Sequence, residues 1–277
     1  MGIAGREAEH WDRISKKWPQ KGYSNELLAE HKRKTHLSLI ARWADLSRNQ
    51  RILKTDLFEE ANGPDQFLFD LARANNDVIG IDVSSEMAGQ ARRQARHYRV
   101  DAGNYLCCDV RRLPFRDNSL DLVISNSTLD HFPNEADIII ALRELRRVLR
   151  DGGNLILTLD NKNNLTYPPY ILMRLWMRLG LAPYFIGKTL SLARLKQALE
   201  DMGFNVEEST AIFHYPHPDG VVRFLERALR KLSCGRLDNA IRRWLASLDR
   251  LETKRTRYLT GRYIAVKAVK RHLEQHV

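Results

Sequence analysis

Asp77-Val-Ile-Gly-Ile-Asp82, followed by Val83-Ser84-Ser85-Glu86-Met87, decides the fold. Four consecutive apolar positions read as a short strand buried on both faces, which places it in the interior of a parallel sheet. In doubly wound sheets a carboxylate at the C-terminal end of such a strand faces the ligand crevice. Asp82 is therefore the first candidate for binding, as an acceptor for the two hydroxyls of a ribose. The competing role is a helix cap, which Ser84 or Ser85 can fill equally well.

Outward from this strand the same alternation repeats. Arg51-Ile-Leu-Lys-Thr-Asp56 reads as strand one, Gln66–Ala72 and Met87–Tyr98 as helices, and Asn104–Asp109 as strand three. Leu120–Asn126 reads as strand four, ending in polar residues near the same crevice. The helix that Asn134 caps carries Ile138, Ile139, Leu142, Leu145, Val148 and Leu149 as its core stripe. Its arginines, Arg143, Arg146, Arg147 and Arg150, read as a solvated face favoured at a helix C-terminus. Asp151-Gly152-Gly153 then turns into strand five, Asn154–Asp160. Ser191 opens a helix to Met202 that Gly203 caps, Phe204–His214 is strand six and Thr260–Val269 strand seven. Strand and helix in alternation predict an α/β, doubly wound, mostly parallel sheet of seven strands.

The bulk properties narrow the classes. The 277 residues, 43% hydrophobic, suffice for one large α/β domain with insertions or for two small domains, with a sizeable core in either case. A formal net charge of +11 predicts attraction to something anionic without saying what. Cys107, Cys108 and Cys234 show no metal-ligand spacing, so no metal is expected and a reduced, cytoplasmic setting is the simplest reading. No secretory leader is visible, and no apolar run reaches the ~18 residues that crossing a bilayer requires.

Five pieces in order carry a family resemblance. They are Asp82 after strand two, Cys108-Asp109 before Leu113-Pro114-Phe115, Ser119–Asn126, Leu129-Asp130-His131-Phe132, and Leu145-Arg-Arg-Val-Leu-Arg-Asp-Gly-Gly153 before a strand. Residues from about 51 to 160 resemble the Rossmann-like core of a class I S-adenosylmethionine-dependent methyltransferase, similar to the group that includes the ubiquinone and menaquinone biosynthesis enzymes. The resemblance implies S-adenosyl-L-methionine as cofactor, with Asp82 on the ribose and Asp109 on the adenine amine, an acceptor facing a donor. Cys108 and Val110 would flank the adenine, and Asn126 would stand at the end of strand four. Asp56 and Gly63 match the ends of the family's first turn. Between them lies a departure: Leu57-Phe-Glu-Glu-Ala-Asn62 stands where glycines are expected. Glu59 and Glu60 there can favour a cationic ligand or simply cap the next helix from an exposed position.

With that core, residues 1–277 are expected to form a single methyltransferase domain. Helices occupy 1–50, where they can cover a sheet edge or the mouth of a site, and the cofactor-binding core occupies 51–160. An amphipathic insertion follows at 164–190 and a basic helical hairpin at 219–257. The hairpin carries eleven Arg and Lys against five Asp and Glu. The two insertions are expected to roof an acceptor site and to touch an anionic membrane surface peripherally, unless the basic face is merely solvated. The expected reaction is methyl transfer to a small-molecule or lipid-like acceptor, and nucleic acid is not favoured as a partner. His131 is the candidate general base with Asp130 beside it, although both can instead brace the following helix. The alternative is a non-catalytic module of the same fold that has lost the cofactor. A nicotinamide dehydrogenase is disfavoured by the absence of G-x-G-x-x-G.

Overall fold

A computed structural model describes residues 3–17, 26–46, 49–74, 76–100, 103–167, 187–215 and 235–272. Within them, seven strands form one sheet: β1 (Arg51–Lys54), β2 (Asp77–Asp82), β3 (Gly103–Cys107), β4 (Leu120–Asn126), β5 (Leu149–Asp160), β6 (Phe204–Ile212) and β7 (Tyr263–Lys270). Their order is β3-β2-β1-β4-β5-β7-β6. The pairings from β3 through β5 are parallel, while β7 runs antiparallel to both neighbours. The sheet is thus mostly parallel, as the alternating sequence predicts.

Alternate residues along the central strands feed two cores. Ile52, Val78, Leu122 and Ile156 face one layer with Phe67 and Met87, whereas Leu53, Ile79, Val123 and Leu155 face the other with Leu142 and Leu145. The first layer is built from α1 (Ile3–Lys17), α2 (Glu26–Trp43), the one-turn α3 (Phe58–Asn62), α4 (Phe67–Arg73) and α5 (Ser85–His97). The second is built from α6 (Glu135–Val148) and α7 (Leu192–Asp201). Sheet order reverses direction between β1 and β4, so the crevice at this switch point lies beyond their C-terminal ends.

Several ends are fixed as the sequence predicts. Asn134 accepts from the Asp137 amide and Ser191 from the Arg194 amide, and Gly203 adopts a φ of +83° after α7. Ser84, rather than Ser85, caps α5 by accepting from the Met87 amide. Several boundaries differ: β3 and β6 end earlier than expected, at Cys107 and Ile212, and β7 begins later, at Tyr263. β1 stops at Lys54 because the chain bends into α3, and the expected turn Asp151–Gly153 lies inside β5. Gly152 there has a φ of +74° and the β4–β5 register shifts between Leu120 and Leu122, so the chain kinks without leaving the sheet.

Of the two insertions, residues 168–186 and 216–234 lie outside the described residues. The remaining part of the second forms α8 (Gly235–Leu248), which buries Ile241 and Leu245 and pairs Arg242 with Glu30 of α2. A short helix, α9 (Arg257–Thr260), leads into β7. Among the described residues no helix is long and apolar enough to cross a membrane.

Candidate active site

The departure from a glycine-rich first turn has a physical explanation. Lys54, the last residue of β1, is 0% exposed, and its Nζ donates to Glu59 at 2.9 Å, to Glu60 at 2.7 Å and to the carbonyl of Asp56 at 2.5 Å. It also lies 4.9 Å from the Phe67 ring centroid. One buried cation thus closes the turn that a flexible backbone would otherwise close. Burial opposes the ammonium, but Glu59, Glu60 and Asp56 outweigh it and raise its proton affinity. Burial likewise opposes ionisation of Glu59, yet Lys54 and His36 hold that carboxyl down at about 2. The exposed-cap reading of Glu59 and Glu60 is therefore corrected. Glu60 is itself 0% exposed and accepts from the Leu68 amide at 3.1 Å.

Bulk in the turn is accommodated by its neighbour. A Cβ on Gly80, in the middle of β2, would lie 2.4 Å from Cδ2 of Leu57 and 3.0 Å from Cδ2 of Leu68. The glycine that the turn lacks stands instead in the strand beneath it.

Around this turn a cleft gathers Asp56, Asp82, Cys108, Asp109, Val110 and His131 with Glu7, Trp11 and Phe132. Asp82 accepts from the Leu57 amide at 3.2 Å through one oxygen and from the Ser84 amide at 2.8 Å through the other. Burial pushes its carboxyl up to about 6 against the pull of these two N–H groups. Asp56 accepts from the Phe58 amide at 2.7 Å, and burial, reinforced by Glu59, holds its carboxyl well above the usual range. Asp109 is gripped by Arg111, whose Nη2 donates to it at 2.7 Å and to Glu7 of α1 at 2.5 Å. The Arg111 guanidinium stacks 4.7 Å from the centroid of Phe132. Burial, ahead of the charge of Cys107, pushes the Cys108 thiol up to about 12, so it contributes an apolar wall.

Helix α1 roofs this cleft. Asp12 accepts from the Ser84 hydroxyl at 2.5 Å, and Trp11 meets the His131 ring edge-on at 4.9 Å between centroids. With α1 docked, about 70 Å³ of the cleft remains.

The other expected site residues lie elsewhere. Gly63 ends α3, donating to the Glu59 carbonyl at 2.8 Å, and does not line the cleft. Asn126 is 5% exposed and donates to Glu59 at 3.3 Å, while its Oδ1 has no hydrogen-bond partner. Asp130 is 3% exposed and accepts from the Ser127 hydroxyl at 2.9 Å and from the Asp160 amide at 2.7 Å, tying the β4 turn to the end of β5. It braces the turn from which His131 projects. The sequence offers its first helices as covers for the mouth of a site, but the individual roles of Glu7, Trp11, Asp12 and Arg111 arise only when α1 folds back over the sheet.

Comparison with known proteins identifies the family of the domain and its fold. Residues 59–157 match the family model described as a methyltransferase domain, a span that leaves β1 and the start of the altered turn outside. The chain is 33% identical over 199 residues to an uncharacterized 37.1 kDa protein in transposon TN4556 of Streptomyces fradiae, covering 67% of this chain and 55% of that protein. It is 32% identical over 157 residues to a "Probable S-adenosylmethionine-dependent methyltransferase" of Mycolicibacterium smegmatis, covering 56% and 52%. The chain spans about half the length of these curated relatives. Among solved structures, phosphoethanolamine N-methyltransferase 2 of Haemonchus contortus shares the fold, with a TM-score of 0.56, 17% identity and coverage of 86% of this chain and 53% of that one. That protein was solved with S-adenosylhomocysteine and phosphomonomethylethanolamine.

Proposed function

We propose that this chain, which carries a class I S-adenosylmethionine-dependent methyltransferase domain, transfers the cofactor's methyl group to a small-molecule or lipid-like acceptor. The observation that supports this reading best is the convergence of Asp82, Asp109 and His131 on one cleft at the switch point of the sheet. The acceptor set fits the cofactor's hydroxyl and amino groups. Each Asp82 oxygen holds a single backbone N–H, leaving lone pairs for two ribose hydroxyls, and a Glu7 oxygen is buried without a partner. The remaining volume does not yet fit, being far below the ~300–1,000 Å³ of small-molecule sites, so α1 withdraws to admit it.

When bound, S-adenosylmethionine supplies an activated methyl on a sulfonium centre. The chain's own work is to position and to exclude water. Asp82 and Asp109 fix the adenosine, and α1, redocking through Asp12 and Trp11, closes the mouth. His131, on the turn braced by Asp130, takes a proton from a hydroxyl acceptor, and Trp11 orients its ring. Peripheral contact with anionic lipid remains part of this proposal through the basic hairpin, where Arg243 is exposed while Arg242 is already paired with Glu30.

The test is incubation with methyl-labelled S-adenosylmethionine and a fractionated extract of small molecules and lipids. Label appearing in one fraction, and lost with His131→Ala, supports the reading. Binding of cofactor with no label in any fraction contradicts it.

A further inference from the structure

The arginines of α6 face a second cleft at the opposite edge of the sheet. Asn118 just before β4, Asp151 early in β5 and Lys270 at the end of antiparallel β7 mark the edge where the parallel strands begin. Asp82 and Asp109 lie beyond the edge where those strands end. This second cleft holds about 840 Å³, within the range of small-molecule sites, and α7 forms its far wall.

Most of its charges are already engaged. Arg147 donates to Asp117 at 2.7 Å, to Glu144 at 2.9 Å and to the carbonyls of Phe115 and Leu113 at 2.8 and 3.0 Å. Arg194 pairs with Glu135 at 2.7 Å. Lys270 donates to Asn118 at 2.6 Å and to the Leu149 carbonyl at 2.7 Å, and Asp151 lies 3.6 Å from Lys270 and 3.4 Å from His272. Asp201, the third acid of the cleft, accepts from Gln197 at 2.7 Å.

Arg146 is different. Its Nε and Nη2 are buried and have no hydrogen-bond partner. These two nitrogens form the side-on fork of the guanidinium, the pair that grips both oxygens of a phosphate or carboxylate in parallel. The fork lies against Gly203, where a Cβ would stand 3.3 Å from Nη2 and 3.5 Å from Nε. Desolvated charged donors are costly to leave unmade, which calls for an acceptor. The solvated-face reading of this arginine run is thus corrected for Arg146 and Arg147. Burial, and after it the charge of Arg146, push the Lys270 ammonium below its ordinary range, so an anion here relieves two cations at once.

We propose that this cleft binds the phosphoryl group of a soluble small molecule, with exposed Arg143 as its first donor and Arg146, whose buried fork turns from Gly203 into the cleft to meet the anion, as its second. A single concave recess with one unmade fork suits a compact anion better than a polymer, which needs a track of contacts. No residue of this cleft lines the Asp82 cleft, so the two sites stand or fall separately.

Inorganic pyrophosphate is the probe, titrated calorimetrically into the full chain. Saturable one-site binding is expected, weakened at least about tenfold by Arg146→Gln through loss of a charge-assisted pair, with S-adenosylhomocysteine affinity unchanged. If Arg146→Gln does not fold by circular dichroism, Arg143→Glu replaces it, and the same direction of change is expected. No saturable binding up to about 10 mM, or equal binding by the variant, overturns the proposal. Binding of a short single-stranded RNA but not of pyrophosphate overturns it as well.

Discussion

Lys54 and Glu60 form an ion pair in which neither side chain is exposed, Nζ to Oε2 2.7 Å apart. Removing one partner of such a pair leaves an uncompensated charge, at a cost of roughly 3–5 kcal/mol. Lys54→Met is therefore expected to destabilise the fold by that order, measured by urea unfolding at neutral pH. A loss below about 1 kcal/mol would mean that the turn does not depend on its cation.

The Asp82 carboxyl, pushed up to about 6 by burial, gives ligand binding a pH dependence with a definite sign. Ribose hydroxyls donate to the ionised form, so S-adenosylhomocysteine affinity is expected to be level above pH ~7 and to fall by up to about tenfold per unit below ~6. Asp82→Asn should bind more weakly and should flatten this limb. A wild-type profile level down to pH 5 would assign the elevated proton affinity no part in binding.

Stability responds in the opposite sense. A carboxyl whose folded value lies above its unfolded one, as for Asp65 and Asp160 at about 7 through burial, contributes stability that is fully present below the unfolded value near 4 and is lost as pH rises toward 7. His36, lowered by burial to about 4, works against this between pH ~4 and ~6.5. His36→Phe should thus steepen the decline in stability from pH 5 to 7, and urea midpoints at several pH values would show whether it does.

Asp130 and His131 adjoin in sequence but separate in role. Asp130→Ala strips the Asp160 amide and the Ser127 hydroxyl of their acceptor, which should cost about 1–3 kcal/mol and lower the melting temperature. His131→Ala should leave the melting temperature nearly unchanged and lower turnover instead. Equal thermal losses would remove the distinction between brace and base.

Much of the fold was legible because its signals are local. β2 and β4 coincide with their apolar runs, Asn134 and Ser191 cap as their residue types predict, and Gly203 ends α7. The candidate site was legible where strand ends carry carboxylates, at Asp82 and Asp109. The Lys54 triad was missed since a lysine at a strand's end ordinarily faces water. The available signal was the carboxylate pair Glu59-Glu60, which one helical turn brings back to the Lys54 ammonium. The link from Glu7 through Arg111 to Asp109 spans more than a hundred positions and has no counterpart in local spacing, and the same holds for the Leu57 side chain resting on Gly80.

The central claim is that Asp82 anchors an adenosine-containing cofactor, and calorimetric titration of S-adenosylhomocysteine into the wild type and Asp82→Ala tests it most directly. A saturable wild-type isotherm is expected, weakened at least about tenfold in the variant because a charged acceptor is worth roughly 1.5–3 kcal/mol. Equal affinity in an Asp82→Ala protein with wild-type circular dichroism, or no binding by the wild type, would contradict the account.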